Sequence, residues 1–122
     1  MTDTQRRLLI VDPDESQGKG IAHALQDLFS EIVLTQRPFE AIKRLNKEHF
    51  DVIITELEFN LIDGYEVIRN FNSLAPKSEL VVMSTKIPEN FHNYLAELGV
   101  RKFFEKPLEL KELRHLMSEQ NC

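Results

Sequence analysis

Polar side chains end four of the short apolar runs along this chain. They are Asp12, Glu56, Ser84 with Thr85, and Lys106. Carboxylate oxygens suit a divalent cation, and an ammonium group with hydroxyl groups suits anionic oxygens. Taken singly, such residues are ordinary strand ends, helix caps or solvated side chains. Their recurrence at four run ends favours one shared site.

The elements that would position these side chains form a strand–helix alternation repeated five times. Strands are predicted over residues 8–11, 32–34, 52–54, 80–83 and 100–104. Helices are predicted over residues 16–29, 38–45, 67–74, 88–98 and 110–117. Such alternation with short connections predicts a single α/β domain with a doubly wound parallel sheet. Functional side chains then belong at the carboxyl ends of the strands.

Length, composition and charge narrow the functional classes. The chain has 122 residues, of which 42% are apolar, and a net charge of −5. That length fits one domain, with its core over about residues 6–118. The longest apolar runs fall far short of the roughly 20 residues that span a bilayer. The acidic balance argues against direct binding to nucleic acid or to an anionic membrane. With Cys122 as the only cysteine, we expect no disulfide and a cytoplasmic location.

The ordered motifs resemble the receiver domain of bacterial two-component response regulators. The motifs are Leu8–Asp12, Asp51–Glu56, Asp63–Gly64, Val82–Ser84 and Phe103–Pro107. The resemblance implies a flavodoxin-like (βα)5 fold with strand order 2-1-3-4-5. In that family two adjacent acids after the first strand bind Mg²⁺. An aspartate after the third strand accepts a phosphoryl group from a histidine kinase.

Several residues keep the family pattern. The resemblance implies that Asp12 is the first Mg²⁺-binding acid. It also implies that Ser84 and Lys106 bind the phosphate, and that Phe103 is the aromatic residue that moves with the switch. Because the family usually has a cis bond after this lysine, we expect a cis peptide between Lys106 and Pro107.

Two positions depart from the family pattern. Pro13 replaces the second Mg²⁺-binding acid and offers only a carbonyl oxygen, while Asp14 comes one residue late and is expected to face the first helical turn. Glu56 replaces the phosphoacceptor aspartate, and its extra methylene moves the carboxylate off the in-line geometry. A misplacement of about 1 Å can cost on the order of a hundredfold in rate. Glu58 lies where a backbone carbonyl would ligate the metal. We therefore expect no resident metal and no required cofactor, although Mg²⁺ stays open.

Two functions follow from this pattern. The first is an atypical receiver, not an enzyme, that acts as a phosphorylation-independent protein–protein interaction module. In it, Lys106 and Ser84 would engage Glu56 in either an active-like or an inactive-like state. The second is a working phosphoacceptor driven by a histidine kinase with Mg²⁺. The residues Pro13 and Glu56 favour the first. Small-molecule binding at the switch point has only fold analogy behind it.

The expected partner is a protein, either a sensor kinase, an effector domain or another signalling protein. In the family, the face of the fourth helix, fifth strand and fifth helix mediates dimers and effector contacts. Here that face would carry Phe91, Tyr94, Phe103, His115 and Leu116. Since Phe91 and Tyr94 are spaced i and i+3, they would share one side of a helix. Burial of these rings in the core is an equally open outcome.

Overall fold

The strands and helices alternate along the whole described chain. The structure, a computed structural model, describes residues 5–85 and 87–119. The strands are β1 (Arg7–Val11), β2 (Glu31–Thr35), β3 (Val52–Glu56), β4 (Glu79–Ser84) and β5 (Val100–Glu105). The helices are α1 (Glu15–Leu25), α2 (Pro38–Leu45), α3 (Gly64–Leu74), α4 (His92–Glu97) and α5 (Leu110–Glu119), with a 3-10 turn over Glu89–Phe91 before α4.

The five strands form one parallel sheet in the order β2-β1-β3-β4-β5. This confirms the predicted doubly wound fold. The register brings strand ends together, because Glu56 of β3 lies opposite Met83 and Ser84 of β4 lies opposite Glu105. Past the ends, the Lys106 amide still donates to the Ser84 carbonyl over 2.7 Å. Residues that follow β1, β3, β4 and β5 therefore meet at one edge.

Alternating residues of the central strands point to opposite faces of the sheet, as the pleat requires. One core lies between the sheet and α2, α3 and α4, and it includes Leu9, Val11, Ile53, Val82, Phe71 and Leu95. The other lies between the sheet and α1 and α5, and it includes Leu8, Ile10, Ile54, Met83, Ile21 and Met117. Because both faces are covered, the central strands are apolar along most of their length and polar mainly toward their ends.

The first and fourth helices differ most from their predicted bounds, and the third begins at Gly64 rather than at residue 67. The first ends at Leu25 and not at Phe29, because the chain turns there and Phe29 packs into the core beneath the Arg6 guanidinium. The fourth begins at His92, because Pro88 has a ψ of 140° and precedes a 3-10 turn. Residues 120–122, with Cys122, lie outside the described residues.

Candidate functional site

Asp12 directly follows β1 and is 2% exposed. Its Oδ1 accepts a hydrogen bond from the Asp14 amide over 2.9 Å. The Asp14 carboxylate accepts from the Gln17 amide over 3.2 Å and caps α1, so it faces the first helical turn as predicted. Burial raises the pKa of Asp12 above its usual range, although the Asp14 amide and the Lys106 charge act in the opposite direction.

Glu56 ends β3, and its carboxylate has partners on both oxygens. The residue is 4% exposed. Oε2 accepts from the backbone amides of Leu57 and Glu58, each over 2.9 Å. Oε1 accepts a hydrogen bond from the ammonium group of Lys106. The carboxylate therefore folds back onto its own loop and pairs with the cation at the same time.

Lys106 follows β5 and reaches across the carboxyl edge of the sheet to β1 and β3. The Lys106–Pro107 peptide is cis, as expected. Besides Glu56, the ammonium contacts Asp12 Oδ2 at 3.5 Å, and the lysine side chain is 18% exposed. Burial opposes the charge on this amine, but the hydrogen bond to Glu56 and the charges of both carboxylates outweigh burial and hold the pKa of Lys106 above its usual value.

Ser84, which ends β4, contacts the side chain of Glu58, a residue that was expected to contribute only its backbone carbonyl. Ser84 is fully buried, and its hydroxyl donates to Glu58 Oε1 over 3.3 Å. The Thr85 amide donates to the same oxygen, also over 3.3 Å. The expected contact between Ser84 and Glu56 is therefore replaced by one between Ser84 and Glu58. The predicted strand order already placed β3 beside β4, and this adjacency could have indicated a contact between the Glu58 side chain and Ser84.

The structure thus brings Asp12, Glu56 and Lys106 into one cluster, with Ser84 beside it through Glu58. Phe103 lies apart from this cluster, on the sheet face that α4 covers, and its ring packs on that of His92 at 4.4 Å. Pro107 is exposed directly after Lys106. The cluster is a buried ion-pair site at the carboxyl edge of a doubly wound sheet, where such folds place their functional residues.

A family profile described as "Response regulator receiver domain" matches residues 8–118. The chain belongs to this family. It is a receiver domain of the kind found in the response regulators of two-component signal transduction.

Individual relatives and one solved structure agree with this assignment. A response regulator receiver protein of an Anaeromyxobacter species is 22% identical over 111 residues, which cover 91% of this chain and 47% of that protein. The transcriptional regulatory protein FlgR of Helicobacter pylori is 33% identical over 103 residues, which cover 83% of this chain and 26% of FlgR. A CheY-like receiver domain structure from Methanospirillum hungatei has a TM-score of 0.87 at 17% identity, with 95% of this chain and 93% of that one covered. The receiver domain spans about half or less of the length of these two relatives.

Residues 12 and 13 offer Mg²⁺, the metal of the family's acid pair, one carboxylate and one backbone carbonyl oxygen. Asp12 supplies one carboxylate, and its two oxygens already face the Asp14 amide and the Lys106 ammonium. Pro13 supplies no carboxylate, and its carbonyl accepts from the Gln36 side chain over 3.5 Å. Within residues 5–85 and 87–119, no three His, Cys, Asp or Glu side chains are grouped to hold a metal. With both Asp12 oxygens engaged and no carboxylate at residue 13, these two residues offer Mg²⁺ no open pair of carboxylates in this structure.

The aromatic residues expected on the interaction face are half-buried and pack on one another. Phe91 and Tyr94 both contact Tyr65 of α3, with ring centroids 5.2 and 5.7 Å away. The Tyr94 hydroxyl accepts from the Arg69 guanidinium over 2.6 Å. These rings are therefore neither core residues nor isolated on the surface.

The fifth helix contributes the other two residues expected on this face. His115 is exposed, and Leu116 is half-buried against the core that α1 and α5 share.

Among the described residues, no helix has both the length and the apolar character needed to cross a membrane.

Proposed function

We propose that this receiver domain is a protein–protein interaction module whose working conformation does not depend on phosphorylation. In this proposal Glu56 takes the position of the phosphoacceptor aspartate, and Pro13 takes that of a Mg²⁺-binding acid. The observation that carries the proposal is the state of the Glu56 carboxylate. One oxygen is held by two backbone amides and the other by Lys106. The domain would signal through its surface and catalyse nothing.

The same contacts oppose phosphoryl transfer to Glu56. An attacking carboxylate needs an oxygen in line with the leaving group, and both oxygens of Glu56 already have partners inside the domain. Lys106, the cation that would bind the arriving phosphoryl group, is paired with Glu56 and Asp12. Without a metal, an arriving phosphodonor would bring further negative charge beside the buried carboxylates of Asp12 and Glu56.

The partner we propose is another signalling protein, which binds the face of α4, β5 and α5. Half-exposed rings of Phe91, Tyr94 and Phe103 give this face an aromatic character that suits a protein interface. FlgR, a relative, is named a transcriptional regulatory protein, so an effector domain is one candidate partner. A sensor kinase or a second copy of the domain would use the same face. We propose a cytoplasmic location, with no direct contact to nucleic acid or membrane.

The test is the intact mass of the domain after incubation with a small acyl-phosphate donor, with and without Mg²⁺. The wild type is expected to gain no phosphoryl group. Glu56→Asp isolates the effect of the extra methylene, and a Pro13→Asp/Glu56→Asp double variant restores both acids that the family uses. An adduct on the double variant serves as the positive control for the donor. A Mg²⁺-dependent adduct on the wild type would refute the proposal and identify a kinase-driven switch.

A further inference from the structure

The Glu58 carboxylate joins the ends of β3 and β4. Glu58 lies two residues past the end of β3, and its Oε1 accepts from the Ser84 hydroxyl and the Thr85 amide. Ser84 is fully buried, so its hydroxyl has little access to water. A buried hydroxyl without an acceptor would be unfavourable, and Glu58 supplies one.

The buried carboxylate of Glu56 and the exposed carboxylate of Glu58 therefore engage the hydrogen-bond donors around the site. Lys106 and the amides of Leu57 and Glu58 donate hydrogen bonds to the carboxylate of Glu56. The Ser84 hydroxyl and the Thr85 amide donate hydrogen bonds to the carboxylate of Glu58. The last residue of β3 and a residue of the loop that follows thus divide between them the donors at the carboxyl edge of the sheet.

The loop that carries Glu58 is fixed on both sides of its exposed tip. Phe59 packs against the core and forms a bridge with Ile62. Asp63 caps α3 by accepting from the Tyr65 amide over 3.0 Å. At Gly64 the loop passes so close to the preceding chain that a Cβ would lie 1.7 Å from the Leu57 carbonyl oxygen. Because the loop is fixed, little conformational entropy is lost in placing the Glu58 carboxylate.

The segment that Glu58 holds leads to the proposed interaction face. The buried Ile87 amide donates to the Glu105 carboxylate over 3.3 Å. The Ile87 carbonyl lies 3.3 Å from Nε2 of His92, and the His92 ring packs on Phe103. Contacts therefore run from Ile87 through the His92 ring to Phe103 of β5.

We propose that the Glu58 carboxylate holds Ser84 and Thr85, at the end of β4, in one position and thereby helps to place Ile87 beside His92. It does so with no added phosphoryl group. This inference rests on the proposed function, because a domain that works without phosphorylation needs another group to hold this segment. Glu58 acts as a positioning residue for the face of α4, β5 and α5.

The test is amide hydrogen exchange, measured by NMR on the full chain. Glu58→Ala removes the acceptor, Glu58→Gln keeps an acceptor oxygen without the charge, and Glu97→Ala is the matched control at an exposed glutamate of α4. In Glu58→Ala we expect the Thr85 amide to exchange about tenfold faster, the effect of losing one charge-assisted hydrogen bond. A smaller acceleration is expected at Ile87. Glu58→Gln is expected to fall between Glu58→Ala and the wild type.

Unchanged exchange at either Thr85 or Ile87 in Glu58→Ala would overturn the proposal, as would equal acceleration in Glu97→Ala. The experiment uses no phosphodonor, so its outcome is separate from that of the mass measurement. Phosphorylation of the wild type at Glu56 would refute the proposed function and leave the exchange rates as measured. Unchanged exchange rates would remove the role of Glu58 and leave the proposed function to its own test.

Discussion

Replacing Lys106 with methionine tests the ion-pair site directly. Methionine keeps most of the length and the apolar stem of lysine but removes the ammonium. The Asp12 and Glu56 side chains are 1% and 6% exposed. Both would lose their cation and face each other across the carboxyl edge of the sheet. The backbone amides that also bind them would stay in place.

The expected loss of stability follows from this burial. Removing one partner of a buried ion pair typically costs about 3–5 kcal/mol, because a buried charge is left uncompensated. The lysine side chain is 18% exposed, and amides still serve both carboxylates, so we expect the lower end, about 3 kcal/mol. Small domains have a total stability of roughly 5–15 kcal/mol, so Lys106→Met is expected to fold.

The loss should shrink as the pH falls. Burial already raises the pKa of Asp12 in the folded state, and without Lys106 this pKa rises further. The folded variant then takes up a proton at a higher pH than the unfolded chain does, and this uptake favours the folded state as the pH falls from 7 toward 5. The difference between wild type and Lys106→Met is therefore larger at pH 7 than at pH 5.

The assay is urea unfolding followed by far-UV circular dichroism at both pH values. Lys19→Met is the matched control, because Lys19 pairs with Glu15 at 3.6 Å on the exposed side of α1. That surface pair is worth at most about 0.5 kcal/mol. The reasoning fails if Lys106→Met loses no more stability than Lys19→Met. It also fails if the loss grows as the pH is lowered.

Three further predictions concern the loop after β3 and the contact between α1 and α5. Gly64→Ala is expected to lower the free energy of unfolding, measured in urea, by at least about 3 kcal/mol, because a Cβ there meets a backbone oxygen at 1.7 Å. The control is Gly20→Ala on the open surface of α1, which should raise the free energy of unfolding by about 0.5–1 kcal/mol. Leu61 is 97% exposed at a φ of 62°, so Leu61→Asn should raise stability by about 1 kcal/mol in the same assay. The hydrogen bond from Arg114 lowers the pKa of Asp27 to about 2. Arg114→Ala should return this pKa toward 3.8, as measured by NMR titration. The stabilisation from this pair holds above pH 3.8 and is lost as the pH falls toward 2.

The fold and the ion-pair cluster were predictable because they depend on pattern and topology. Alternating apolar runs and helical stretches predict a parallel sheet, and the strand order then places the residues after each strand at one edge. The convergence of Asp12, Glu56 and Lys106 follows from that order. Asp63 before Gly64 is likewise an ordinary helix cap, and its side chain caps α3 in the structure.

Strand order places Glu58 beside the end of β4, but it does not decide that the side chain contacts Ser84 and Thr85. A loop side chain points where its backbone torsions direct it, and these depend on tertiary contacts such as the burial of Phe59 and the close approach at Gly64. The aromatic residues of α4 show the same limit. Spacing places Phe91 and Tyr94 on one side, but only packing against Tyr65 of α3 decides that they are half-buried.

Stability and reactivity oppose each other at Glu56. The extra methylene of glutamate lets the carboxylate bond to the amides of its own loop and still reach Lys106. An aspartate would be one methylene shorter, and we expect it to hold one of these two sets of donors less well. Glu56→Asp should therefore free donors that a phosphoryl group could use, and at the same time weaken the pairing of Lys106. In the proposed function, a site that fills its donors from within leaves fewer of them for a phosphoryl group, and the contacts of Glu56 and Glu58 favour one conformation of the domain.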